Sequence, residues 1–265
     1  MNITKGIEPS SPACNLTQAV FFDLGYTLLN FAGDYQATIN ESYFALAHAL
    51  IRAGYPLNAN AFVERFNDVL LSYYQSRDED LIERPVETYL ARVLSSLGHT
   101  EPPEEVTRAA LAEMYLTTES HWQLATEAFT VLQQLQARGC RLGLISNAAN
   151  ADNANRLIDR FDLRGFFKVI LISAVEKIRK PDSRIFTRAL NTLGLTPERA
   201  VMVGDTLTAD ILGAQNAGLR AVWITTRADH PENTRVRDRI NPDAVVQNLS
   251  ELLPVLQQFH DSVSS

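Results

Sequence analysis

The chain has 265 residues, 46% of them hydrophobic and 21% charged, with 12 Gly and 11 Pro. That make-up excludes collagen-like, low-complexity and wholly disordered classes, and it leaves room for one large domain or one domain carrying a sizeable insertion. With 24 Lys and Arg against 31 Asp and Glu, the net charge of −7 gives no surplus of cations for phosphate backbones, so no nucleic-acid partner is expected.

In chain order, residues 1–17 are rich in Ser, Pro, Thr and Asn without periodicity and read as a flexible N-terminal extension. The first apolar, β-prone run is Ala19 to Phe22, which stops at Asp23 and Gly25 as a buried strand entering a polar loop does. From Asp34 to Ser120 four helical patterns follow without a strand: Asp34 to Arg52, Asn58 to Arg77, Val86 to Leu97 and Pro103 to Thr118. Alternation then begins. Strand-like runs at Arg141 to Ile145, Val169 to Ile172, Ala200 to Val203, Ala221 to Thr225 and Asp243 to Val246 are interleaved with helical patterns at Ala125 to Arg138, Asp182 to Leu193 and Thr208 to Ala217. Each of these three helices closes on a glycine, Gly139, Gly194 or Gly218. Strands alternating with helices predict a parallel sheet with right-handed crossovers. The expected class is therefore α/β, a Rossmann-like core of residues 18–33 and 121–265 with an all-helical cap of residues 34–120 inserted after the first strand.

In an open parallel sheet ligands bind beyond the carboxyl ends of the strands. The residues there are Asp23-Leu24-Gly25-Tyr26-Thr27, Ser146-Asn147 and Gly204-Asp205-Thr206, with Asp210 shortly after, while Lys180-Pro181-Asp182 opens a helix. Three acids that converge repel one another and call for a cation, and hard oxygen ligands with few protein contacts suit Mg2+. In this arrangement Asp23 is a metal-bound nucleophile that attacks phosphorus and forms an aspartyl-phosphate. Thr27, Ser146 and Asn147 hold the phosphoryl oxygens, Lys180 neutralises charge shared by nucleophile and phosphate, and Asp205 and Asp210 complete the metal's shell.

The segments Phe22-Asp23-Leu24-Gly25-Tyr26-Thr27-Leu28, Ile145-Ser146-Asn147, Arg179-Lys180-Pro181-Asp182 and Val203-Gly204-Asp205-Thr206 with Asp210 resemble, in order, the four motifs of the haloacid dehalogenase superfamily. The resemblance covers about Ala19 to Leu256. It implies a Rossmann-like core with a helical cap, Mg2+, and most often hydrolysis of a small phosphomonoester. It also implies that the backbone carbonyl of Gly25 serves the metal. One position departs from the family's phosphatase pattern: where an aspartate usually protonates the leaving alkoxide and then activates water, this chain has Gly25. Loss of such a group typically costs about 10²- to 10⁴-fold. Tyr26 replaces the glycine common at the next position and is expected to narrow the entrance.

Gly25 keeps an alternative open, a catalytically weak phospho-ligand binder or regulator. A dehalogenase-type hydrolase is a further alternative, disfavoured because the Gly204-Asp205 pair and Asp210 retain two metal-binding acids, Asp205 and Asp210, that carbon–halogen substitution does not need. The phosphonatase mechanism requires a cap lysine, and residues 34–120 contain none. Phosphomutase chemistry relies on the acid/base that Gly25 replaces. The five histidines lack zinc spacing, and Arg227, Arg235, Arg237 and Arg239 alternate with acids like a solvated loop. Cys14 and Cys140 are too few for a disulfide framework, and with no apolar leader and no run of about 18 apolar residues a reducing, cytoplasmic setting without a membrane partner is expected.

Overall fold

The computed structural model describes residues 17–261, apart from the side chains of Asp78, His260 and Asp261. The expected N-terminal extension lies outside these residues save for Thr17, which is buried. In chain order the elements are β1 (Ala19–Phe22), β2 (Leu29–Phe31), α1 (Tyr35–Arg52), α2 (Ala59–Asp80), α3 (Val86–Ser96), α4 (Glu104–Glu119), β3 (Trp122–Leu124), α5 (Ala128–Ala137), β4 (Arg141–Ser146), α6 (Ala151–Arg160), β5 (Phe167–Ile172) and α7 (Ser173–Glu176). They continue as α8 (Ser183–Leu193), β6 (Ala200–Gly204), α9 (Gly213–Asn216), β7 (Arg220–Ile224), α10 (Pro231–Thr234), β8 (Ala244–Val246) and α11 (Leu252–Asp261).

Six strands form one parallel sheet in the order β5-β4-β1-β6-β7-β8. Successive side chains of a strand point to opposite faces, and β1 shows the result. Val20 and Phe22 join the core formed with α5, α6 and α11, while Ala19 and Phe21 join the core formed with α8 and α9. A sheet buried on both faces explains why its strands read as continuous apolar runs.

The segment between β2 and β3 is helical and has a core of its own, in which Tyr43, Leu46, Phe62, Phe66, Tyr89 and Val93 are buried together. Asp34 and Asn58 cap its first two helices by accepting from Ala37 N and Ala61 N at 3.1 and 3.0 Å. An antiparallel ribbon of β2 and β3 carries the chain into and out of this block; at three residues each, these strands are too short to leave a period in the sequence.

The block is also tied to the sheet domain midway along its length. Glu83, between α2 and α3, accepts from the Tyr73 hydroxyl and, at 2.8 Å, from the Ser173 hydroxyl. It ion-pairs with Arg179 at 3.3 Å with both side chains buried. Val86 N donates to Ala149 O and Arg179 N to Leu81 O. Among the described residues no helix is long and apolar enough to cross a membrane.

Candidate active site

β1 lies between β4 and β6, with Phe22 level with Leu144 on one side and Val203 on the other. Asp23 therefore leaves the sheet beside the ends of both neighbours, one position short of Ser146 and Asp205. Its N–H donates to Val203 O at 3.0 Å. Beyond it the loop folds back sharply, with Leu28 N and Leu29 N both donating to Leu24 O at 3.0 and 2.9 Å.

Asp210 reaches the same point from a wide helical turn. The sequence predicts a regular helix from Thr208 to Ala217, but residues Leu207–Leu212 wind as a π-helix before α9. Thr206 O accepts from Ile211 N at 3.4 Å, the i+5 bond of a wide turn, as well as from Asp210 N at 2.8 Å, and the Asp210 carboxylate accepts from Thr206 N at 2.9 Å. Gly204 makes room for this, since a Cβ there would lie 2.3 Å from Asp210 Cγ. Carboxylate oxygens of Asp23, Asp205 and Asp210, all buried, lie within 4.8 Å of one another.

Lys180 enters from the end of the segment that links β5 to α8 and is 1% exposed. Its ammonium donates to Asp23 Oδ1 at 2.7 Å and to Asp210 Oδ1 at 2.6 Å. Its backbone is clamped by Asn147, whose Oδ1 accepts from Lys180 N at 2.8 Å and whose Nδ2 donates to Lys180 O at 2.9 Å. The side-chain amide of Asn147, a residue the sequence places at the phosphate, grips the lysine backbone. Ser146 is buried at the end of β4, and the Thr27 hydroxyl is buried without a hydrogen-bond partner.

One buried ammonium faces three carboxylates, and the electrostatics reflect the deficit. Burial, partly offset by Lys180 and reinforced by Asp210, pushes the Asp23 carboxyl up to about 6. Burial and the charges of Asp23 and Asp210 hold Asp205 well above the ordinary carboxylate range. Burial works against the Lys180 ammonium, but Asp210 and Asp23 outweigh it and raise its pKa. Buried oxygen donors with unbalanced negative charge are a donor set that fits a hard divalent cation such as Mg2+.

Two residues of the site escape the sequence reading. Arg227, expected in a solvated loop, has a side chain only 25% exposed that approaches Asp205 Oδ2 at 3.5 Å and lies 4.5 Å over the Tyr26 ring. Asn233 is buried and links the loops by donating to Asp205 O and Arg227 O, both at 2.9 Å, and by accepting from Leu207 N at 2.8 Å. Neither has a signal in the sequence, because both sit in a stretch of mixed charge and turn residues. Tyr26 takes a left-handed φ of 60°, a region that favours glycine. Its ring meets Trp122 edge-on at 5.2 Å.

A family model described as haloacid dehalogenase-like hydrolase matches residues 17–218. The chain is 28% identical over 243 residues, 91% of its length and 100% of the relative's, to a glyceraldehyde 3-phosphate phosphatase of Methanothermobacter thermautotrophicus. Among solved structures, a 2-haloacid dehalogenase from Pseudomonas syringae pv. Tomato superposes with a TM-score of 0.66 at 27% identity, covering 92% of this chain and 100% of that one. A hydrolase of the same fold from Bacillus subtilis, bound to magnesium, superposes with a TM-score of 0.57 at 22% identity over 91% of this chain and 99% of that one.

Proposed function

The chain belongs to the haloacid dehalogenase-like hydrolases, and on that footing we propose that it is a Mg2+-dependent phosphatase of small phosphorylated metabolites with Asp23 as nucleophile. The observation that carries this reading is the meeting of three buried carboxylates within 4.8 Å around one buried ammonium. The relative that spans nearly the whole chain is a phosphatase by name, and it supports the same reaction class here.

In this reading Asp23, Asp205 and Asp210, with the Gly25 carbonyl, would hold Mg2+, which would supply neutralising charge to the phosphoryl oxygens. Asp23 attacks phosphorus in line, and a bond from its oxygen forms as the bond to the leaving oxygen breaks. The Lys180 ammonium orients that carboxylate and balances charge that nucleophile and phosphoryl group share. Asn147 fixes Lys180 rather than the phosphate, and the free Thr27 hydroxyl, with Ser146, is available to phosphoryl oxygens. Water then attacks the aspartyl-phosphate, releasing phosphate and restoring the carboxylate.

A second reading, displacement of halide from carbon by the same carboxylate, has the shape of the Pseudomonas syringae dehalogenase in its favour. The buried acids beyond Asp23 speak against it, since that reaction has no need of a cation. The deciding experiment assays wild type beside Asp23→Asn with phosphomonoesters and 2-haloacids, with and without Mg2+. Phosphate release that needs both Mg2+ and Asp23 is expected; wild-type turnover in Asp23→Asn, or halide release alone, overturns the proposal.

A further inference from the structure

A cavity of about 160 Å3 lies between the helical block and the sheet domain. Its deep end is made by Tyr43, Tyr73, Tyr89 and Met114, which are buried, and its rim by Tyr35 and Tyr74, which are 44% and 46% exposed. Among the described residues no charged side chain lines it. The phenols stay neutral: burial pushes the Tyr43 and Tyr73 hydroxyls well above the ordinary phenol range. Such a lining rejects a charged group and accepts a flat, uncharged one. The volume matches one ring, since an apolar cavity of about 150 Å3 takes up a single benzene.

Two polar atoms of lining residues, the Tyr89 hydroxyl and Asn153 Oδ1, are buried without a hydrogen-bond partner. The cavity adjoins the nucleophile loop through Trp122, one of its walls. That indole lies edge-on to Tyr26 and in contact range of a Cβ at Gly25. The nucleophile loop and the aromatic lining thus share one indole as a common wall.

We propose that the substrate is the phosphate monoester of a phenol, its uncharged ring seated in this cavity. The inference rests on the phosphatase reading above and deepens it. Two independent features converge on it. The cavity selects a single aromatic ring, and Gly25 removes the group that would protonate a poor leaving oxygen. A phenol has a pKa of about 10, as in tyrosine, against about 16 for water, so a phenolate departs with far less proton assistance. In the step, an Asp23 oxygen bonds to phosphorus as the phosphorus–aryl oxygen bond breaks. The electron pair stays on the phenolate, which takes its proton from solvent.

The test measures kcat and KM with Mg2+ for phenyl, benzyl, ethyl and acetyl phosphate. Acetyl phosphate has a good leaving group and no ring, so it reads the Asp23 machinery without the cavity. Phenyl and benzyl phosphate are expected to share a KM about ten-fold or more below that of ethyl phosphate, with kcat higher for phenyl than for benzyl. Filling the cavity by Met114→Trp is expected to lower the preference for phenyl over acetyl phosphate about ten-fold. If acetyl phosphate is hydrolysed while phenyl phosphate is no better than ethyl phosphate, the aryl inference falls and the phosphatase reading stands. If none of the four is hydrolysed, both fall. Equal losses on phenyl and acetyl phosphate in a folded Met114→Trp protein also overturn the inference.

Discussion

Trp122 lies across Gly25: a Cβ built on the glycine meets the indole Cη2 at 3.4 Å, an ordinary contact distance. The backbone there accepts a side chain, but a carboxyl group beyond the Cβ must displace the ring edge. Gly25→Asp combined with Trp122→Ala is expected to raise kcat for ethyl phosphate about 10²- to 10⁴-fold, the usual contribution of a general acid/base. The single Gly25→Asp change is expected to give less. Steady-state kinetics check this, and a double variant no faster than wild type would sink the idea that proton transfer limits alkyl esters.

Lys180 is the buried counter-charge of Asp23 and Asp210, at 2.7 and 2.6 Å. Lys180→Met leaves two carboxylates facing each other in a dry site, a change of the kind that costs about 3–5 kcal/mol. Denaturant unfolding without metal is expected to show that loss. Adding Mg2+ is expected to recover part of it, because a cation then meets the exposed negative charge. Equal metal-free stability of variant and wild type would contradict this account.

The raised pKa of Asp23, about 6 against 3.8 for an unperturbed aspartate, fixes a pH dependence. Between those values the folded protein holds a proton that the unfolded chain has lost, so the Asp23 contribution to metal-free stability falls as pH rises through that window. Mg2+ must displace the same proton below about pH 6 and need not above it. The Mg2+-induced rise in Tm is therefore expected to be larger at about pH 7.5 than at about pH 5. Thermal melts at the two pH values test this, and Asp23→Asn should flatten both trends.

Glu83 joins Tyr73 of the helical block to Ser173 and Arg179 of the sheet domain. Glu83→Ala removes the buried carboxylate that pairs with Arg179 and accepts from Tyr73 and Ser173, and a loss of stability is expected. Because Arg179 precedes Lys180, the variant is also expected to lose turnover. A Glu83→Ala protein with unchanged unfolding midpoint would remove Glu83 as a structural tie.

Much of the architecture was legible because the sheet is buried on both faces. The β1 run Ala19 to Phe22 appears in the sequence with the ends it has in the structure, and the four helices between β2 and β3 begin within a residue of their predicted starts. The meeting of Asp23, Asp205 and Asp210 was legible too, since each follows an apolar run and the runs are neighbours in the sheet. What periodicity hides is any role set by one long-range contact. Asn147 reads as a strand-end amide whether it faces a phosphate or the Lys180 backbone. Arg227 looks solvated until the loop after β7 folds over Tyr26, and the ribbon of β2 and β3 is too brief to show a pattern.

The tie at Glu83 bears on traffic through the molecule. Swinging the whole helical block away from the sheet would bring a buried carboxylate and guanidinium into water and part the Val86–Ala149 and Leu81–Arg179 backbone bonds. Side-chain rotation of the half-exposed rim residues Tyr35 and Tyr74 breaks none of these. With the two halves held together there, a molecule entering the cavity is expected to pass the rings of Tyr35 and Tyr74 rather than a parted interface.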